Sequence, residues 1–243
     1  MDAYKAVRCP FLLLKNIFLI YSLYMIITYH GVDFFKVSFG DTTIAVNPIS
    51  KESKHKSTRF GSDITLVSLQ SPEHNGTDVT SRGDKESFLI KGPGEYEVGG
   101  VFIKGFQSKS KYDLKLGEDE RVNTIYTITL EGMKVCFLGA LSDASLSDEA
   151  KEGIDGADIF VVPIGSEGVL DPAAAHKLAV QFGPKLIIPA HYSTSTDSIG
   201  APDAMKKFLK EAGAENVKPI DKLTIKKKDL DGKEDDVVVL EAI

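Results

Sequence analysis

Two apolar runs constrain the fold of this chain more than any other feature. "ADIFVVPIG" (157–165) and "KLIIPAHYS" (185–193) are apolar without alternation. A strand with no polar face is buried on both sides, as in the middle of a parallel sheet covered by helices. Helical patterns flank both runs. "SDASLSDEAKEGIDG" reads as a short helix with Ser145 or Ser147 as its cap. "DPAAAHKLAVQFGP" reads as a helix with Asp171 as cap, Pro172 at its first position and Gly183 at its end. His176 falls mid-helix, at its surface or boundary. "APDAMKKFLKEAGAE" reads as a third helix.

The first half is rich in strands. "DFFKVSFGDTTIAVNP" alternates and turns at Gly40-Asp41, a hairpin. "DITLVSL" is a buried strand. "SFLIKGPGEYEVGGVFIKGF" gives two or three strands around its glycines, and "NTIYTITLEGMKVCFLG" is a hairpin turning at Glu131-Gly132. Residues 47–63 and 107–121 are polar and read as loops. His55, between Lys54 and Lys56, is expected to be solvated. "DLDG" near the C-terminus is a turn, because the rest of a calcium-loop pattern is missing. Strands followed by alternating β and α imply an α/β fold of two packed sheets with helices outside. Residues 25–243 read as one domain.

The 243 residues carry a net charge of −6. That balance offers no basic footprint for nucleic acid. Lys226-Lys227-Lys228 is short, and it is expected to decorate a solvated hairpin opposite Glu234-Asp235-Asp236. The cysteines are Cys9 and Cys136. Cys136, in "KVCFLG", reads as a small core residue, and no disulfide framework follows, which fits a reducing, cytoplasmic compartment. "NGT" at Asn75 is read as a chance match to the glycosylation pattern. Residues 1–24 are an apolar extension with Lys5 and Arg8 near its start. It reads as foreign to the domain, with Met25 as an alternative start, or as a membrane anchor over residues 9–29. A membrane partner is expected only on the second reading. Otherwise the expected partner is an unidentified small molecule or protein.

Chemistry enters at "LVSLQSPEHNG" (66–76). A strand runs into a loop that carries Glu73 and His74, adjacent and both able to bind a metal. Leu69 and Ser71, just before them, are much poorer ligands.

The blocks "ITYHGVDFFKVSFGDTTIAVNP", "DITLVSLQSPEHN", "KGPGEYEVGGVFIKG", "NTIYTITLEGMKVCFLGAL" and "KLIIPAHYST" follow in order along the chain. Together they resemble the metallo-β-lactamase superfamily, and most closely its small prokaryotic zinc-dependent hydrolases. The resemblance implies an αββα four-layer sandwich with a two-metal site at the loop ends. The family's His-x-His-x-Asp-His pattern falls here on Leu69, Ser71, Glu73 and His74. Its third histidine belongs in the loop that reads "QSKSKYD", which has none. Its bridging aspartate falls on Ala140 and its last histidine on His191. The aspartate of its "DP" is Asn47. The resemblance therefore implies a degenerate site. Either two-metal hydrolysis is lost and the chain acts as a binding or interaction module, or one metal (Zn, or Fe or Mn) stays on Glu73, His74 and His191 and supports hydrolysis of esters, lactones or phosphoesters. Ser68, Ser71, Ser108, Ser142 and Asp143 are expected near the same mouth, where a serine would need His74 or His191 as its base.

Overall fold

The computed structural model describes residues 24–81, 83, 86–194 and 198–243. The extension at 1–23, with Cys9, lies outside the described residues. The anchor expected over 9–29 meets its first described residues at its end, and there Met25–Tyr29 is a strand, β1, with Met25, Ile27 and Tyr29 buried. Among the described residues no helix is long and apolar enough to cross a membrane.

β2 (Phe35–Phe39) and β3 (Thr42–Val46) form the expected hairpin through Gly40-Asp41. β4 (Ile64–Leu66) and β5 (Phe88–Ile90) follow parallel to β3. The second sheet begins with the meander β6 (Gly94–Val98), β7 (Val101–Ser110), β8 (Arg121–Leu130) and β9 (Met133–Phe137), all antiparallel. Next come α1 (Asp148–Ile154), β10 (Ile159–Pro163), α2 (Pro172–Gln181), β11 (Leu186–Ala190) and α3 (Ala204–Glu211). β12 (Leu223–Ile225) and β13 (Asp236–Val237) end the fold. The sheets run β12-β1-β2-β3-β4-β5 and β13-β11-β10-β9-β8-β7-β6.

β10 and β11 are buried at every position and pair in parallel inside the second sheet. This follows from their unbroken apolar runs. The Ser147 hydroxyl caps α1 by accepting from the Ala150 N–H, and the Asp171 carboxylate caps α2 by accepting from the Ala174 N–H. α1 packs on β7 and β8, α2 on β10, and α3 on α2. Between the sheets lies one large core that includes Ile27, Ile44, Ile103, Ile125, Phe137 and Val161. Ala45 points away from that core and joins Val32, Phe34, Ile49 and Ile199 in a second cluster, lidded by Phe60. The fold is the expected α/β sandwich. Cys136 is fully buried in the core, and burial pushes its thiol up, which makes it unreactive.

Three local expectations are corrected. Residues 107–110 belong to β7, since Gln107 to Ser110 pair with Thr124 to Arg121. Their polar side chains hide a strand that backbone pairing with β8 extends. His55 is buried at 6% exposure, while Lys54 and Lys56 on either side point outward. The lysine run does not lie on a hairpin, because β12 and β13 belong to different sheets. Lys227 grips both oxygens of Asp158 at 2.7 Å, and Lys226 bonds the Tyr24 hydroxyl.

Candidate metal centre

The parallel strands β9, β10 and β11 end on the same edge of the sandwich as β1, β3 and β4. Loops leaving carboxyl ends of strands build sites because their side chains converge there. Asp33 lies in the turn between β1 and β2. His74 lies in the loop after β4. His191 follows the last residue of β11.

The backbone is held in unusual conformations at this edge. Val32, Asn47 and His191 have φ of 55°, 51° and 55°. Left-handed geometry is costly for any residue with a side chain, and most of all for a β-branched one such as Val32. It is fixed here by hydrogen bonds between and within the sheets. The His191 N–H donates to the Val32 carbonyl at 2.6 Å, and Asn47 Oδ1 accepts from the Ser68 N–H at 2.8 Å. Glycine makes room beneath His191. A Cβ on Gly165 would stand 2.3 Å from the His191 carbonyl oxygen and 2.8 Å from its ring.

Three buried side chains meet in this frame. Asp33 Oδ2 accepts from His74 Nε2 at 2.9 Å and from His191 Nδ1 at 3.1 Å. His74 and His191 are fully buried and Asp33 is 3% exposed. A carboxylate oxygen only accepts, so both ring nitrogens that face it carry protons in this arrangement. With a single proton on the ring, His74 Nδ1 accepts from the Ser71 hydroxyl at 2.8 Å. Burial by itself would raise Asp33. The hydrogen bonds from His191 and His74 outweigh it and hold the carboxyl well below the usual range. The Tyr112 ring, from the loop after β7, meets both imidazoles edge-on.

The structure thus brings together two of the three expected ligands, His74 and His191. The carboxylate between them is Asp33. Glu73 leaves the tight turn in another direction, and its carboxylate accepts from the Ser53 hydroxyl at 3.1 Å. Sequence reasoning missed Asp33, which lies 41 positions before His74 in the chain. Its only local signal is a carboxylate in a turn between two apolar strands. Of the expected serines, Ser71 reaches a histidine. Ser108 bonds Asn123, and Ser142 bonds the Lys109 carbonyl. Asp143 accepts from the Ser145 N–H.

Two positions where the resemblance places ligands, Leu69 and Ala140, hold hydrocarbon. Leu69 and Ala140 are buried against Val169 and pack on Tyr112. A cluster of one carboxylate and two imidazoles, with ligand atoms within 4.8 Å of one another, is a metal-type donor set. The spacing fits an ion. Metal bonds near 2 Å place neighbouring donors about 3 Å apart, close to the spacing of Asp33 from both rings. The far nitrogen of His191, Nε2, is fully buried and has no hydrogen-bond partner among the described residues.

Residues 26–191 match the model of the beta-lactamase superfamily domain. The chain belongs to the metallo-β-lactamase superfamily. Within the superfamily it is similar to a UPF0173 metal-dependent hydrolase of Listeria monocytogenes, at 26% identity over 70% of this chain and 86% of that protein. A relative of the same name from Rubrobacter xylanophilus is 27% identical over 56% of this chain and 58% of its own length. Among solved structures, a Thermotoga maritima protein described as a Zn-dependent hydrolase of the superfamily superposes with a TM-score of 0.68 at 28% identity. That match covers 89% of this chain and 98% of the other. The metallo hydrolase Igni18 of Ignicoccus hospitalis shares the fold at a TM-score of 0.59 and 17% identity, over 84% of this chain and 99% of Igni18.

Proposed function

We propose that this chain is a single-ion member of the metal-dependent hydrolases, with Asp33, His74 and His191 as its protein ligands. The observation that carries the reading is Asp33 Oδ2 held between His74 Nε2 and His191 Nδ1. Asp33 Oδ2, His74 Nε2 and a ring nitrogen of His191 would hold one Zn, Fe or Mn ion. Such an ion, when bound, acidifies a water and supports hydrolysis of an ester, lactone or phosphoester. Two-ion chemistry loses two of its ligand positions, because Leu69 and Ala140, where the resemblance places a histidine and the bridging aspartate, are hydrocarbon packed on Val169. The chain's own residues supply the frame. The strained turns at Val32 and His191 aim the side chains, and Gly165 leaves His191 its place.

A second reading has its own observation. Asp33 is satisfied by its two imidazole partners, so the cluster also closes as a purely structural staple, and the chain would then serve as a binding module. The test is hydrolysis. The full chain is treated with a chelator, reloaded with Zn, Mn or Fe, and assayed on nitrophenyl esters, a lactone and bis-nitrophenyl phosphate. Ion-dependent turnover that disappears in His191→Ala supports the hydrolase. Turnover that ignores the ion, or none with any ion, favours the staple.

A further inference from the structure

We infer that this site is built for reversible loading, with Ser71 as the hydroxyl that lets His74 serve both the hydrogen-bonded and the ion-holding arrangement. The inference rests on the single-ion reading above.

In the hydrogen-bonded arrangement His74 carries its proton on Nε2, toward Asp33, and Nδ1 accepts from Ser71. To hold an ion at Nε2, the ring must carry its proton at Nδ1 instead. The partner of Nδ1 must then change from donor to acceptor. A backbone carbonyl or a carboxylate there would only accept, and an N–H would only donate. A hydroxyl does either by rotating about one bond. Ser71 Oγ is 2.8 Å from Nδ1, and the residue is 1% exposed, so water does not substitute for it. The backbone holds the hydroxyl in place. The Ser71 carbonyl accepts from the N–H groups of His74 and Asn75 at 2.9 and 3.0 Å, which fixes both ends of the contact in one turn.

His191 makes the contrast. Its Nδ1 bonds Asp33, and its buried Nε2 has no hydrogen-bond partner among the described residues, so nothing at the far nitrogen answers a change of tautomer. Only His74 has, at its far nitrogen, a partner that works both ways. Position 71 is also where the resemblance places a metal-binding histidine. A ligand position has become the orienting partner of a ligand.

The experiment follows the proton and the affinity on the full chain. Long-range proton–nitrogen NMR locates the His74 proton before and after addition of Zn. Competition with a chromophoric chelator measures Zn affinity in the parent, Ser71→Ala and Ser71→Thr. The expected result is a proton on Nε2 before loading and on Nδ1 after it. Ser71→Ala should bind Zn about tenfold to hundredfold more weakly, and Ser71→Thr should recover the affinity. A serine that only packs would lower the stability of Ser71→Ala and leave Zn affinity within about twofold, which would overturn the inference. A His74 proton that stays on Nε2 after loading would overturn it as well, with no variant needed. A parent that binds no ion overturns the single-ion reading, and this inference with it.

Discussion

Asp33 Oδ2 accepts from two buried imidazoles at once, so small changes at this residue separate the two sets of ligands. Asp33→Asn keeps the shape and removes the charge. It should abolish ion binding, as followed by elemental analysis. Glu73→Gln should leave binding unchanged, because Glu73 bonds Ser53 rather than either ring. His30 gives the acid response. It is 7% exposed, and burial pushes its imidazole down to about 4, with Lys36 and Lys56 adding to the effect. The unfolded chain, with an ordinary histidine near 6.5, binds this proton more readily than the folded one. Stability should therefore fall as pH drops from about 6.5 toward 4, by roughly 3 kcal/mol in all. Urea titrations across that window should show the slope, and His30→Gln should flatten it.

At the scale of elements, β11 and α2 make opposite predictions. Gly165→Ala would drive a Cβ to 2.3 Å from the His191 carbonyl oxygen at the end of β11. Overpacking of this kind costs about 1–3 kcal/mol, and here it should also weaken ion binding. Asp171→Ala removes the α2 cap, far from the site. It should cost about 1 kcal/mol, lowering Tm by roughly 2–4 °C, with ion binding unchanged. Thermal melts and chelator competition on the two variants distinguish them. Elements such as these were legible in the sequence. The runs at 157–165 and 185–193, the cap Asp171, the choice of Ser145 or Ser147 as the other cap, and the turns at Gly40-Asp41 and Glu131-Gly132 all announce themselves over a few residues. The end of β7 was not, because Gln107 to Ser110 are polar and become strand only through β8. The site was half legible. His74 and His191 stand in recognisable blocks. Asp33 and Tyr112 reach them only when both sheets close, and no local pattern encodes that closure.

For the whole molecule, Asp33 comes from the first sheet and His191 from the second, so the cluster ties the two halves of the sandwich. An ion bound there holds native chain and not unfolded chain. At a hundredfold excess over Kd it should add about 2.7 kcal/mol, a Tm rise of roughly 5–10 °C. Asp33→Asn should show no rise. The measurement that tests the account most directly is ion stoichiometry. The full chain is purified without a histidine tag, loaded, dialysed, and its Zn, Fe and Mn counted beside Asp33→Asn and Glu73→Gln. The account predicts one ion per chain in the parent and in Glu73→Gln, and none in Asp33→Asn. No ion in the parent, or an ion lost with Glu73 and kept without Asp33, would contradict it.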